Sequence, residues 1–250
     1  MPMKTVSILG IPVACLTMQQ VLAWVEKRIE AGKPAHIVTA NAEIIYRASR
    51  KPELGKLLRQ ADLITADGSG VVWAGRKLNS PLPERVTGVD LTQQLLAWAA
   101  EKSWRVYFLG AKPEVVEKAV LRTLSKHPQL QISGYHHGYF VKQEIDQVVS
   151  NIHKAKPHLL FVALGAPRQE YFIQEHLEQL AASVAIGVGG TFDVLAGTAQ
   201  RAPLWMQQRG LEWLYRLCRQ PRRLGRMLAL PCFVRAVCRQ RKASQGLDKT

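Results

Sequence analysis

Five short runs of β-branched and apolar residues recur along the chain, and each run ends in small or polar residues. The runs occupy residues 36–39, 63–66, 106–109, 159–164 and 184–188. Runs this apolar are typical of strands buried on both faces of a sheet. Segments with helical spacing lie between them, at residues 17–31, 90–102, 113–126, 142–154 and 168–180. The alternation predicts an α/β fold with Rossmann-like features, in which helices cover both faces of a mostly parallel sheet.

Glycines and short polar side chains follow the predicted strands. In such sheets ligands bind beyond the carboxyl ends of the strands, where glycines let a ligand approach the backbone and helix starts offer N–H groups to phosphate. The residues just after each strand are therefore candidates for a ligand site. They include Thr39, Asn41, Asp67, Gly68, Gly110, Gly165, Gln169, Gly189, Gly190 and Asp193.

The pattern changes after residue 209, where apolar residues fall at helical spacing with arginines between them. We predict an α/β core at residues 1–209 and a basic, amphipathic helical appendage at 210–250, divided by Pro221 and Pro231. Residues 201–250 hold ten Arg and two Lys against one Glu and one Asp, which is +10 of the net charge of +15. Such an asymmetry indicates an anionic partner, either a lipid surface or a nucleic acid.

The composition is that of a globular protein with one sizeable core, since 47% of the 250 residues are hydrophobic and 21% are charged. No run approaches the roughly 20 apolar residues of a spanning helix, and the start of the chain lacks the pattern of a signal peptide. We therefore expect a cytoplasmic protein. The four cysteines form no CxxC pair, so we expect reduced thiols without a catalytic role.

The common nucleotide-binding motifs are missing from the sequence. Neither GxGxxG nor GxxxxGK(S/T) occurs, which argues against a dinucleotide enzyme such as an epimerase and against a P-loop NTPase. There is also no Asp-x-Asp pair to hold a divalent ion on a diphosphate, so Arg and backbone N–H groups would meet that charge. We expect neither a metal site nor a cofactor.

Asp67 and Arg85 are the first candidates for chemistry. Asp67 follows a buried strand, where a partly desolvated carboxylate can serve as a general base; a helix cap or turn is the alternative. Arg85 follows a Pro-rich loop and can make a bidentate contact with phosphate. Its alternative is a solvated charge paired with Glu84.

Five further residues could recognise a sugar nucleotide. Thr39 and Asn41 can orient a sugar hydroxyl or acetamido group, unless they only cap the next helix. Gln169 offers a donor and an acceptor beside a helix start, or else lies on a first-turn surface. Tyr139 can stack on a uracil ring and Asp193 can hydrogen-bond to it; a core aromatic and a helix cap are the alternatives.

These residues lie in motifs that resemble those of the WecG/TagA/CpsF glycosyltransferase family, in order and over nearly the whole chain. The motifs are Thr39-Ala-Asn-Ala-Glu43, Ala66-Asp-Gly68, Arg85-Val-Thr-Gly-Val-Asp90, Gly165-Ala-Pro-Arg-Gln-Glu170, Gly187-Val-Gly-Gly-Thr-Phe-Asp193, Arg201-Ala-Pro203 and Gly210-Leu-Glu-Trp-Leu-Tyr-Arg216. The resemblance implies an inverting, metal-independent transferase that moves a sugar from a UDP-sugar to an undecaprenyl-diphosphate-linked acceptor.

The resemblance also implies roles for individual residues. The general base falls on Asp67, acceptor or donor contacts on Thr39 and Asn41, and phosphate contacts on Arg85 and Gln169. The UDP pocket takes in Gly110, Tyr139, Gly165, Gly189, Gly190 and Asp193. The remaining substrate contacts are Gly68 and the tail arginines Arg216, Arg223 and Arg226, which would meet the membrane and the acceptor diphosphate.

The expected reaction is transfer of N-acetylmannosamine from its UDP donor to undecaprenyl-diphosphate-N-acetylglucosamine, in a β-1,4 linkage, at the inner face of the cell membrane. Cell-surface polysaccharide or teichoic acid synthesis is the expected setting. The uronic acid of the same sugar and a UDP-glucose-type donor remain alternatives, because Lys112 or Arg168 could face an acidic sugar or the diphosphate. A nucleic-acid-binding protein is the alternative of another class, although aromatic residues are not interleaved through the basic tail. The sequence leaves a homo-oligomer open.

Overall fold

Short apolar runs form the strands and amphipathic segments form the helices of the computed structural model, which describes residues 3–219 and 229–247. The strands in these ranges are β1 Thr5–Ile8, β2 Ile11–Ala14, β3 Ala35–Ala40, β4 Leu63–Ala66, β5 Arg105–Gly110, β6 Gln131–His136, β7 Leu159–Ala163 and β8 Val184–Gly187. The helices are α1 Met18–Ala31, α2 Ala42–Arg50, α3 Pro52–Arg59, α4 Ser69–Lys77, α5 Gly88–Glu101, α6 Pro113–Lys126, α7 Ile145–Ala155, α8 Arg168–His176, α9 Thr191–Leu195, α10 Leu204–Gln208, α11 Glu212–Arg219 and α12 Ala229–Leu247.

Six parallel strands form the central sheet, in the order β4-β3-β8-β7-β5-β6. The predicted α/β fold with a parallel sheet is therefore confirmed. The sequence pattern missed β6, whose residues are half-exposed because the strand lies at the edge of the sheet. It also missed the antiparallel hairpin of β1 and β2, which turns through Leu9 and Gly10 with positive φ angles.

The strand order reverses at the middle of the sheet. The chain runs outward from β3 to β4 on one side and from β5 to β6 on the other, and β7 and β8 then fill the space between them. A crevice forms where the strand order reverses, outside the carboxyl ends of the central strands. The loops that follow β3, β8 and β7 therefore meet at the position where this class of fold binds ligands.

Helices cover both faces of the sheet because alternate strand residues point to opposite sides. Phe108 and Phe161 face α1, α5, α6 and α9, and the ring of Phe108 lies 5.9 Å from that of Phe161 and 5.2 Å from that of Phe192. On the other face, Tyr107 and Leu160 join the core beneath α7 and α8. Because helices cover both faces of the sheet, a ligand can reach the sheet only at the ends of the strands.

The C-terminal helix α12 packs against the same core as the hairpin and α2. Phe233 and Val237 are fully buried there, and the Gln240 amide donates to Ser7 O (2.8 Å) and accepts from Leu9 N (2.9 Å). Pro231 is the third described residue of α12, and Pro221 lies outside the described residues, so the division of the tail by these two prolines stays a prediction. Within the described ranges, no helix is both long and apolar enough to span a bilayer.

Candidate active site

Thr39 is the next-to-last residue of β3, and Asn41 is the first residue after the strand. The Thr39 hydroxyl donates to the carbonyl of Gly187 on β8 over 2.7 Å, which ties the two strand ends together. Asn41 caps α2, because its Oδ1 accepts from Ile44 N over 3.0 Å. The capping alternative is thus realised for Asn41, whereas Thr39 joins neighbouring strands.

Asp67 lies one residue beyond β4, and its backbone N–H donates to Ala40 O at the end of β3 over 2.8 Å. Gly68, rather than Asp67, is the residue at the helix cap of α4, with a φ of +109° that favours glycine. Ser69 then donates to Gly210 O over 3.0 Å, which fixes the later segment against this strand end. The helix-cap alternative for Asp67 is therefore wrong, whereas the turn alternative and the general-base role stay predictions.

Arg85 is held by a residue from the C-terminal part of the chain. Its guanidinium donates to Glu212 Oε2 over 3.3 Å, and its side chain is mostly buried. Glu84, the expected partner, instead accepts from Met18 N over 2.7 Å. The alternative of a solvated Arg85–Glu84 pair is therefore wrong.

Arg201 completes a charged cluster that sequence spacing did not reveal. It makes a bidentate pair with Asp90 at 2.5 and 2.9 Å, and its Nε lies 3.9 Å from Glu212. Burial opposes the charge of Arg201, but its hydrogen bond to Asp90 and the charges of Asp90, Glu212 and Asp67 raise the pKa of the guanidinium. Burial likewise opposes ionisation of Asp90, yet hydrogen bonds from Arg201 and Thr87 lower the pKa of the carboxyl. Asp67 therefore lies close enough to Arg201 for their charges to interact.

Gln169 is buried beneath the loop that follows β8. Its Oε1 accepts from Gly189 N over 3.1 Å, and its Nε2 donates to Glu170 Oε1 over 2.8 Å. With 3% of its surface exposed, Gln169 is not a first-turn surface residue. The phosphate contact expected of it stays a prediction, and the contacts seen here join the side chain to the glycine loop.

Backbone crowding explains the glycine at the end of β5. Gly110 has a φ of +128°, and a Cβ at this position would lie 2.4 Å from Ala163 O on β7. Gly138 closes the same corner, because its N–H donates to Ala111 O over 2.8 Å. The loops after β5 and β6 are therefore held against the end of β7.

The remaining UDP-pocket candidates follow β7, β8 and β6. Gly165, with a φ of +79°, precedes the cis Ala166–Pro167 peptide, and Gly189 has a φ of +55°. Gly190 caps α9, so Asp193 lies within the helix and its carbonyl accepts from Thr198 N over 2.9 Å. Tyr139 is 67% exposed, which excludes the core-aromatic alternative and leaves its ring open for stacking.

The candidate residues thus form two groups along the carboxyl ends of the strands of the sheet. Thr39 and Asp67 lie at the ends of β3 and β4, and Arg85 precedes Val86, whose N–H donates to Ala66 O at the end of β4. Gly110 is the last residue of β5, and Tyr139 and Gly165 follow β6 and β7. The loop after β8 lies between the two groups. Of the tail arginines, Arg223 and Arg226 lie outside the described residues, and Arg216 lies in α11 with its side chain outside the description.

Comparison with known proteins identifies the family of the chain. The model of the glycosyl transferase WecG/TagA/CpsF family matches residues 6–246. A protein of Bacillus spizizenii is 40% identical over 86% of this chain and 83% of its own length. Proteins of Bacillus subtilis and Staphylococcus aureus are 36% and 35% identical over 96% and 95% of this chain, and over 93% of their own lengths. All three are named N-acetylglucosaminyldiphosphoundecaprenol N-acetyl-beta-D-mannosaminyltransferase. The chain therefore belongs to the glycosyl transferase WecG/TagA/CpsF family.

Proposed function

We propose that this protein transfers N-acetylmannosamine from UDP-N-acetylmannosamine to N-acetylglucosaminyl-diphosphoundecaprenol, in a β-1,4 linkage. The names of the relatives state this sugar and this acceptor. The observation that carries the proposal within the molecule is the position of Asp67, at a strand end beside the Arg85, Arg201 and Glu212 cluster. A carboxylate close to fixed cations suits displacement of a diphosphate by a hydroxyl.

The proposed reaction is a single displacement at the anomeric carbon of the donor. Asp67 takes the proton of the acceptor 4-hydroxyl while that oxygen forms the new bond to the anomeric carbon. The bond from that carbon to the diphosphate breaks, and its electron pair leaves with UDP. Arg85 balances the charge that develops on the leaving diphosphate. Attack opposite the leaving group inverts an α-linked donor and gives the β product that the relatives' names specify.

Metal independence is part of the proposal. Among the described residues, no group of three or more His, Cys, Asp or Glu side chains is placed to hold a metal ion. Guanidinium groups and backbone N–H groups would then meet the diphosphate charge. Activity that persists in EDTA would support this part, and activity restored only by a divalent cation would contradict it.

The donor proposal favours N-acetylmannosamine over its uronic acid. Arg168, one cation that could face an acidic sugar, lies 5.0 Å over the Phe140 ring and donates to Phe140 O over 3.4 Å. Lys112 lies 4.0 Å from Glu114. Arg168 keeps its charge over the ring and Lys112 is exposed, so these contacts do not select a donor, and the choice of N-acetylmannosamine rests on the names of the relatives.

We place the enzyme on an anionic membrane surface. Leu204, Trp205 and Trp213 expose large apolar side chains on α10 and α11, and Arg209 lies 6.0 Å from the ring centre of Trp205. Tryptophan beside arginine is typical of segments at a membrane interface. Each Lys or Arg near an anionic leaflet contributes about 1 kcal/mol, so part of this basic segment suffices for reversible binding. Sedimentation with anionic but not with neutral vesicles is the expected result.

The reaction is tested by UDP release from a panel of UDP-sugars, with EDTA present, with and without a synthetic lipid-diphosphate-N-acetylglucosamine. We expect release from UDP-N-acetylmannosamine that depends on the acceptor. Release from the uronic acid or UDP-glucose instead would change the donor assignment. No release from any donor by folded protein, together with salt-sensitive RNA binding, would favour the nucleic-acid alternative.

A further inference from the structure

Glu170 is a buried carboxyl group that the proposed reaction does not use. Glu170 lies in the first turn of α8, and 1% of its surface is exposed. One oxygen, Oε1, accepts from Gln169 Nε2, and among the described residues no donor reaches Oε2. Burying a carboxyl that has one oxygen without a hydrogen-bond partner costs free energy. Its presence here therefore points to a role other than holding the fold together.

The contacts of Glu170 determine which way the Gln169 amide faces. A carboxylate oxygen can only accept, so it selects the NH2 group of Gln169. The opposite end of that amide, Oε1, then faces Gly189 N and accepts from it. A reversed amide would set two donors against each other at Gly189. The orientation is thus fixed by Glu170 at one end and by Gly189 at the other.

Close contacts leave the Gln169 side chain little freedom. A Cβ on Gly187 would lie 2.7 Å from Gln169 Nε2 and 3.1 Å from Glu170 Oε1. Both side chains therefore contact the backbone of Gly187, where there is no room for a larger residue. The carbonyl of the same glycine accepts from the Thr39 hydroxyl. The ends of β3 and β8 and the start of α8 are therefore joined into one hydrogen-bonded unit below the Gly189 loop.

We propose that Glu170 is a positioning residue: it orients Gln169 and, through Gln169, holds the Gly189 backbone in the shape that receives the diphosphate half of the UDP-sugar. Glu170 touches neither the sugar nor the reacting atoms. This inference rests on the proposed function, because it assigns the loop after β8 to the donor.

Three variants separate positioning from structural support. Glu170→Leu removes the acceptor, Glu170→Gln keeps an acceptor of similar shape, and Glu175→Gln changes an exposed glutamate on the same helix as the matched control. For each we would measure KM and kcat for UDP-N-acetylmannosamine, the Kd for UDP by calorimetry, and the Tm at about pH 8. The loss of one hydrogen bond predicts a roughly five- to tenfold rise in KM and in the Kd for UDP for Glu170→Leu.

The expected set of results is distinctive. Glu170→Leu should keep kcat within about twofold and keep the Tm near that of the wild type, because removal of a poorly satisfied carboxyl offsets the cost of leaving Gln169 Nε2 without its acceptor. Glu170→Gln should restore KM to near the wild-type value, and Glu175→Gln should change nothing.

Other outcomes would overturn the inference. They are a normal KM and Kd in Glu170→Leu, a Leu variant that fails to fold or loses Tm, or a Gln variant as impaired as the Leu variant. If the wild type binds UDP but does not use UDP-N-acetylmannosamine, the proposed function fails by itself, and the Kd for UDP still tests the role of Glu170.

Discussion

Replacing Glu170 by Gln should make the protein more stable, and by an amount that grows with pH. Burial raises the pKa of Glu170 from 4.5 to about 7, against the opposing effects of its hydrogen bonds with Gln169 and with its own backbone N–H and of the charge of Arg47 on α2. Because the folded-state pKa is the higher one, the folded protein binds the proton more tightly, and Glu170 favours folding most at low pH. That contribution is lost as pH rises from about 4.5 to about 7. A shift of this size corresponds to about 3 kcal/mol when the loss is complete.

Urea unfolding of the wild type and of Glu170→Gln across a pH series measures this effect. The difference in unfolding free energy should move in favour of Gln by about 2.5 kcal/mol between about pH 5 and about pH 8. The buried Gln amide has a desolvation cost of its own, but that cost does not vary with pH, so the slope isolates the ionisation of Glu170. Glu175→Gln on the same helix should give a flat difference. A flat difference for Glu170→Gln as well would refute the reasoning that this carboxyl is buried and poorly satisfied.

Three further predictions concern catalysis, the glycine corner and the C-terminal helix. Asp67→Asn should lower kcat by at least about 100-fold with an unchanged Tm, and a folded variant with full activity would remove Asp67 from the base role. Gly110→Ala should lower the free energy of unfolding in urea by at least about 2 kcal/mol, because the Cβ would lie 2.4 Å from Ala163 O at a positive φ. A smaller loss would mean that the ends of β5 and β7 can move apart at little cost in free energy. Phe233→Ala should cost about 3–5 kcal/mol in the same assay, since the ring is fully buried against the hairpin; a small cost would mean that α12 is only loosely docked.

The sequence predicted the parts of the fold that carry a strong apolar period. The buried strands β3, β4, β5, β7 and β8 are nearly all apolar, and such runs are visible without a partner. The edge strand β6 carries polar and glycine residues because its outer side faces solvent, so its pattern resembles a loop. The packing of α12 on the hairpin joins residues more than two hundred positions apart, which local periodicity cannot report.

The candidate site was predictable where chemistry follows a strand and hidden where it depends on distant partners. Asp67 and Thr39 were found because they come directly after or within the end of a buried run. Arg201 and Asp90, by contrast, are 111 positions apart, and Arg85 meets a carboxylate 127 positions away. A sequence motif can mark these residues as candidates, but it does not show which of them contact each other in the fold. The buried state of Gln169 was also beyond reach, because a first-turn helical position is more often exposed.

The most direct test of the central claim is the structure of the product formed from UDP-N-acetylmannosamine and the lipid-diphosphate-N-acetylglucosamine acceptor. Mass spectrometry should show that the acceptor gains one N-acetylhexosamine residue, and NMR should show a β-linked mannosamine at the 4-position of the acceptor sugar. An unchanged acceptor, or UDP released only by hydrolysis of the donor, would contradict the account.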